Sequence, residues 1–152
     1  MIRILSDKDP LWKTVAEHAK RIRWRAGKHL AEDMRTGRFT EWERVIAAFA
    51  REDGADDIRV AGFCTVTAKD EIGADYEYTP FIGTLYVDEV YRGQRLSERL
   101  LKEASTYLGK CGFKRVYLTS DEEGLYEKYG FTKEEKVLTR KGRETQLFSK
   151  GV

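Results

Sequence analysis

Trp12, Val15, Ala16, Ala19 and Ile22 recur at helical spacing with Lys and Arg between them, which predicts an amphipathic helix over 11–26 that Gly27 stops. A shorter helix over about 29–35 ends before Gly37. From residue 43 the period changes. Val45, Ile46, Ala48 and Phe49 make one apolar run, and Ile58, Val60, Gly62, Cys64 and Val66 alternate with polar or small neighbours. The polar stretch 51–57 between them reads as the bridge of a hairpin. After a polar loop over 69–79, residues 81–87 form a third apolar run, consistent with a mostly buried strand. Leu96, Leu100, Leu101, Ala104 and Leu108 then mark one face of a helix closed by Gly109 and Gly112. A short strand at 116–118, a short helix at 122–128 ended by Gly130, and strands at 131–138 and 145–149 complete the chain. The last two pair as a hairpin through 140–143. This order predicts a mixed α/β fold in one domain over 1–152, with helices in 1–40 and the sheet and its core in 43–150.

Composition agrees and narrows the function. The 152 residues carry 28 Lys+Arg against 26 Asp+Glu, so a densely charged chain sums to only +2, which argues against a general polyanion binder. Three Trp, eight Tyr and seven Phe are too many buried anchors for a disordered chain. The N-terminus reaches charged residues before an apolar stretch long enough for a secretory signal, and no window approaches a membrane span. Cys64 and Cys111 lack CxxC spacing and nearby histidines, so no metal is expected and two free thiols in a cytoplasmic protein are.

The segment that carries chemistry is the strand ending at Val87, the turn Arg92-Gly93-Gln94-Arg95-Leu96-Ser97, and the helix after it. A strand-to-helix turn presents unpaired backbone N–H groups at the positive end of a helix dipole and suits a phosphate or pyrophosphate. Two arginines beside a positive helix end are unfavourable unless an anion offsets them, and Gly93 lets the backbone come close to one.

This turn resembles the Q/R-x-x-G-x-G/A motif of the GCN5-related N-acetyltransferase superfamily, whose amides hold the pyrophosphate of acetyl-coenzyme A. Gly124-Leu125-Tyr126-Glu127-Lys128-Tyr129-Gly130-Phe131 is similar to that superfamily's L-Y-E-K-x-G-F segment, and a helix and a strand separate the two motifs as they do there. The resemblance implies a mixed, mainly antiparallel central sheet with helices on both faces. It implies acetyl-coenzyme A as cosubstrate, held by Leu85, Tyr86, Val87, Arg92, Gly93, Gln94, Arg95, Leu96, Ser97 and Tyr126. It implies direct attack by a primary amine of a small molecule or peptide, with main-chain groups at Leu85 and Val87 on the thioester and Tyr126 as the acid for the leaving thiolate. Arg95 stands where the family has its first motif glycine; with the flanking spacing intact, the expectation is a negative φ there. No carboxylate occurs from Thr79 to Val87, so the base is open among Glu77, Asp75, Asp88 and a water chain. The superfamily also contains enzymes that acetylate aminoacyl-tRNA and domains that only bind coenzyme A or a protein. The resemblance leaves a monomer or a homodimer open.

Other residues have plainer readings. Cys64 falls on a core position of a strand, and His18 and His29 read as ordinary helix-surface residues. Lys20, Arg21, Arg23, Arg25 and Lys28 are five cations in nine residues, a solvated helix end or the one patch able to touch RNA. Asp70, Glu71, Asp75 and Glu77 form an acidic loop that would favour a cationic amine if it rims the acceptor cleft.

Overall fold

A computed structural model describes residues 1–51 and 57–152. Seven strands form one sheet in the order β1-β2-β3-β4-β5-β7-β6. They are β1 (Ile2–Leu5), β2 (Arg44–Arg51), β3 (Ile58–Thr67), β4 (Phe81–Val87), β5 (Arg115–Ser120), β6 (Thr132–Leu138) and β7 (Glu144–Gly151), with α1 (Leu11–Arg21), α2 (Arg25–Arg35) and α3 (Leu96–Lys110). All neighbouring pairs are antiparallel except β4 and β5. The expected hairpin of β2 and β3 is present, although its turn at 52–56 lies outside the described residues.

Period-two alternation assigns the two faces of the sheet. Ile46, Cys64, Val66, Ile82, Val116, Leu118 and Phe148 point to one face and pack under Leu100, Leu101, Ala104 and Leu108 of α3. Val45, Ala47, Phe49, Val60 and Phe63 point to the other and meet Trp12, Val15 and Ala19 of α1 and Leu30 and Met34 of α2. On that second face, beyond β4, the loop before β4 takes the place of a helix: Ile72, Tyr76 and Tyr78 cover Phe81, Tyr117, Val137 and Leu147.

Four sequence expectations are corrected. The helix expected over 11–26 breaks at Ile22 (ψ 154) and Trp24 (ψ 125), and Gly27 lies inside α2 rather than stopping α1. Its role is close approach: a Cβ at Gly27 would sit 2.7 Å from the Ala19 carbonyl oxygen and from Ile22 Cδ1, so only glycine lets α2 cross against α1 there. Second, β1 has no counterpart in the predicted order; it is a four-residue edge strand held to β2 with Ile4 opposite Ile46. Third, the helix expected over 122–128 shrinks to a 3-10 turn, Glu127–Tyr129, because Gly124 takes φ 79 and breaks its first turn. Fourth, His18 is half-buried at an inter-element contact rather than a free surface residue.

The cysteines behave as their burial dictates. Cys64 is fully buried under α3, and burial pushes its thiol up to about 12, whereas Cys111 is exposed. A thiol reagent at neutral pH is therefore expected to label Cys111 quickly and Cys64 only after denaturation. Mass spectrometry of the labelled protein checks this, and labelling of both sites in the native state would contradict the packing.

Candidate active site

The parallel pair β4 and β5 is the discontinuity in the sheet. Among the described residues its register is confined to Phe81↔Tyr117, with the Tyr117 N–H donating to the Pro80 carbonyl at 3.0 Å. Beyond that point the ladder stops, and the facing edge of β4 is left without a strand partner. An open edge inside a sheet is a place for an extended ligand to supply the missing hydrogen bonds.

A bulge sits at the same place. Phe63 opposes Tyr86 and Thr65 opposes Gly83, so the single residue Cys64 faces both Thr84 and Leu85. Thr84 has φ 48, a left-handed conformation that a β-branched residue adopts only under constraint. The bulge re-aims the main chain at Leu85, one of the residues expected to contact the thioester. At the end of β4, Gly62 keeps β3 close: a Cβ there would lie 2.6 Å from the Tyr86 carbonyl oxygen and 3.3 Å from Val87 Cα.

Beyond Val87 a 3-10 turn, Glu89–Tyr91, leads into the Arg92 to Ser97 turn and α3. Gly93 has φ 85 with open space around it. Arg95 has φ 60 and ψ 26, which corrects the expected negative φ. Alternating left-handed residues ahead of a helix make a concave run of N–H groups of the kind that receives anions. No side-chain cap occupies the start of α3, so its first-turn amides remain available. Arg92 uses Nε to hold the Val87 carbonyl at 3.0 Å, tying the turn to the strand end. Arg95 is exposed and makes a loose 3.8 Å pair with Glu98. The donor set, main-chain N–H groups with Arg92 and Arg95 beside them, fits a pyrophosphate.

The left-handed Arg95 carries strain of about 1 kcal/mol that glycine would not, partly offset in glycine by a freer unfolded chain. Arg95→Gly is therefore expected to raise stability by up to about 1 kcal/mol in a denaturant titration. A loss of stability would show that the arginine side chain contributes more than the backbone strain costs.

Tyr126 follows the end of β5. Its ring is buried, tilted against Phe148 at 5.6 Å and edge-on to Phe131 at 6.1 Å and Tyr129 at 6.4 Å. Burial pushes its phenol above the ordinary tyrosine range, and a hydrogen bond with Ser120 pulls it partway back. The group is thus a protonated donor at neutral pH.

The structure separates the candidate bases. Asp75 and Glu77 are exposed in the loop before β4. Asp88 ends β4 and is already engaged: His18 Nε2 lies 3.0 Å from its Oδ2, and its charge also bears on the Tyr86 phenol. A carboxylate only accepts, so Nε2 carries the hydrogen and Nδ1 is left buried without a partner. Burial, then Asp88, pushes the Tyr86 phenol up. This Tyr86–Asp88–His18 group joins α1 to the end of β4. A carboxylate in the chain was visible in the sequence; its histidine, seventy positions away, carried no signal.

Beside this group lies a cavity of about 670 Å³ bounded by Thr14, His18, Arg21, Asp88, Tyr91 and Gln94 among others. It opens between α1 and the turn that precedes α3.

Comparison with known proteins shows the family and the fold. The family described as Acetyltransferase (GNAT) matches residues 12–131. The chain belongs to the GNAT acetyltransferase family. The GNAT match runs from α1 through the Tyr126 segment to Phe131 and so takes in the strand break, the bulge and the α3 turn. No curated protein matches the chain. Among solved structures, it is similar to an aminoglycoside 6'-acetyltransferase type Ii, with TM-score 0.72 and 18% identity over 99% of this chain and 96% of that one. An aminoglycoside 6'-N-acetyltransferase complexed with coenzyme A gives 0.69 and 15% over 99% and 96%. A chain of the NatC complex bound to Gag peptide and coenzyme A gives 0.68 and 14% over 100% and 98%. At such identities these structures share the GNAT fold. No helix among the described residues is long and apolar enough to cross a membrane.

Proposed function

We propose that the protein is an N-acetyltransferase that moves the acetyl group of acetyl-coenzyme A to a primary amine of a small molecule or peptide by direct attack. The observation that carries this reading is the β4–β5 gap beyond Phe81↔Tyr117, an open strand edge that leads to the anion-receptive turn before α3. Acetyl-coenzyme A, when bound, supplies an activated thioester. The turn from Arg92 to Ser97 holds its pyrophosphate through main-chain N–H groups, and the β4 edge from Leu85 to Val87 pairs with its pantetheine arm. A main-chain N–H at the Thr84–Leu85 bulge donates to the carbonyl oxygen as charge builds there. Tyr126 gives its phenolic proton to the departing sulfur.

The proton of the amine leaves through water. Asp88 is taken up by His18, and Asp75 and Glu77 are exposed. Asp75→Asn combined with Glu77→Gln is expected to keep kcat within about threefold of wild type, far less than the ~100-fold that a lost general base costs. A loss of that larger size would make one of the two the base.

The reading is tested by mixing the protein with acetyl-coenzyme A and a panel of primary amines and following free thiol. Amine-dependent release is expected. Binding of the coenzyme without release by any amine would favour a domain of this fold that binds but does not transfer.

A further inference from the structure

On the face of the sheet opposite α3, the side chains of β4 leave an uncovered stretch. Phe81 lies under Tyr76 and Tyr78, while Tyr86 lies under Trp24, stacked at 5.7 Å between centroids and 20° between planes. Between them is Gly83, which has no side chain, followed by the strained bulge residue Thr84. Two aromatic walls therefore flank the place on β4 where transfer is proposed. The wall at Trp24 belongs to the α1–α2 break and carries the run of cations.

The structure divides those cations by task. Lys28 Nζ donates to the Lys20 carbonyl at 3.2 Å and the Ile22 carbonyl at 2.8 Å, so it satisfies the exposed carbonyls at the end of α1. With that end already capped, Arg21, Arg23 and Arg25 are not needed for it. Among the described residues none of these three forms an ion pair, whereas Arg3, Arg35, Arg38, Arg95 and Arg143 each do. All three are exposed and lie within three positions of Trp24 in the chain, Trp24 itself remains 38% exposed, and Arg21 also borders the 670 Å³ cavity. Three exposed arginines without ion-pair partners, on the same segment as a part-exposed indole, suit a molecule with an anionic group and an apolar part.

We infer that the acceptor is an amine that also bears a carboxylate or comparable anionic group, received by Arg21, Arg23 and Arg25 while its apolar portion lies against Trp24. This rests on the acetyltransferase reading above and narrows its substrate class. Polycationic amines are disfavoured, since three uncompensated arginines repel them at the entrance.

The test compares leucyl-phenylalanine, leucyl-phenylalaninamide and kanamycin as acceptors, with coenzyme binding measured separately by calorimetry. The free acid is expected to exceed the amide at least tenfold in kcat/KM, mostly through KM, and the advantage shrinks as salt is raised. Arg23→Gln with Arg25→Gln should reduce the advantage below threefold while the KM for acetyl-coenzyme A stays within twofold. Both residues are exposed, and an unchanged thermal midpoint confirms that the variant folds. Equal use of acid and amide, preference for kanamycin, or a rise confined to the coenzyme KM would each overturn the inference. So would inertness of all three acceptors with a protein that binds acetyl-coenzyme A. Absence of coenzyme binding would instead remove the acetyltransferase reading itself.

Discussion

Tyr126→Phe is expected to lower kcat by about 100-fold or more, the usual worth of a positioned general acid, while leaving affinity for acetyl-coenzyme A nearly unchanged. The hydroxyl is the only part removed, so the rings of Phe131 and Phe148 keep their packing partner. With the ring still packed in place, the variant is expected to stay folded. The pH profile gives a second readout. Because burial raises the phenol, its proton is retained at neutral pH and lost only above the ordinary tyrosine value of about 10. Wild-type kcat should therefore fall only on a limb lying above that value, and the limb should be absent in the variant. Undiminished turnover by Tyr126→Phe would remove the acid role and return the residue to a core aromatic.

Leu100→Ala should have the largest effect on stability. Leu100 is 0% exposed, in the second turn of α3, and sits over β3 where a Cβ on Gly62 would come within 3.4 Å of its Cδ1. Truncation removes buried methyl groups and leaves a cavity between helix and sheet, a cost of about 2–5 kcal/mol. For a chain of this length each kcal/mol moves the melting temperature by roughly 2–4 °C, so a drop of some 5–20 °C is expected. The start of α3 is the proposed pyrophosphate site, so the same change should also weaken coenzyme binding. A small shift in melting temperature would mean that α3 is not seated on the sheet as described.

Much of this was readable in the chain because local pattern and tertiary role agreed. The apolar face of α3 and the alternation in β3 dictate which side chains point at each other, and the two motifs flank them. The failures share a cause. Gly27 reads as a helix stop by propensity, yet its need is set by Ala19 and Ile22 on the neighbouring helix. The bulge at Thr84 arises from two residues of β4 facing Cys64, a register property with no local signature in a β-branched residue. Arg95 breaks the glycine rule of its turn and takes the left-handed conformation all the same. His18 shows the same limit for function: helical spacing places it on α1, and only the packing of α1 on the sheet brings it to Asp88. Conformational need at a single residue is written in its neighbours in space.

The central claim is that the gap between β4 and β5 and the turn before α3 together seat acetyl-coenzyme A. A calorimetric titration of the protein with acetyl-coenzyme A measures this directly, beside a Gly93→Val variant whose φ of 85 a β-branched residue resists. Saturable one-to-one binding by the wild type, weakened at least tenfold in the variant, is the predicted result. No heat and no saturation with the wild-type protein would contradict the account.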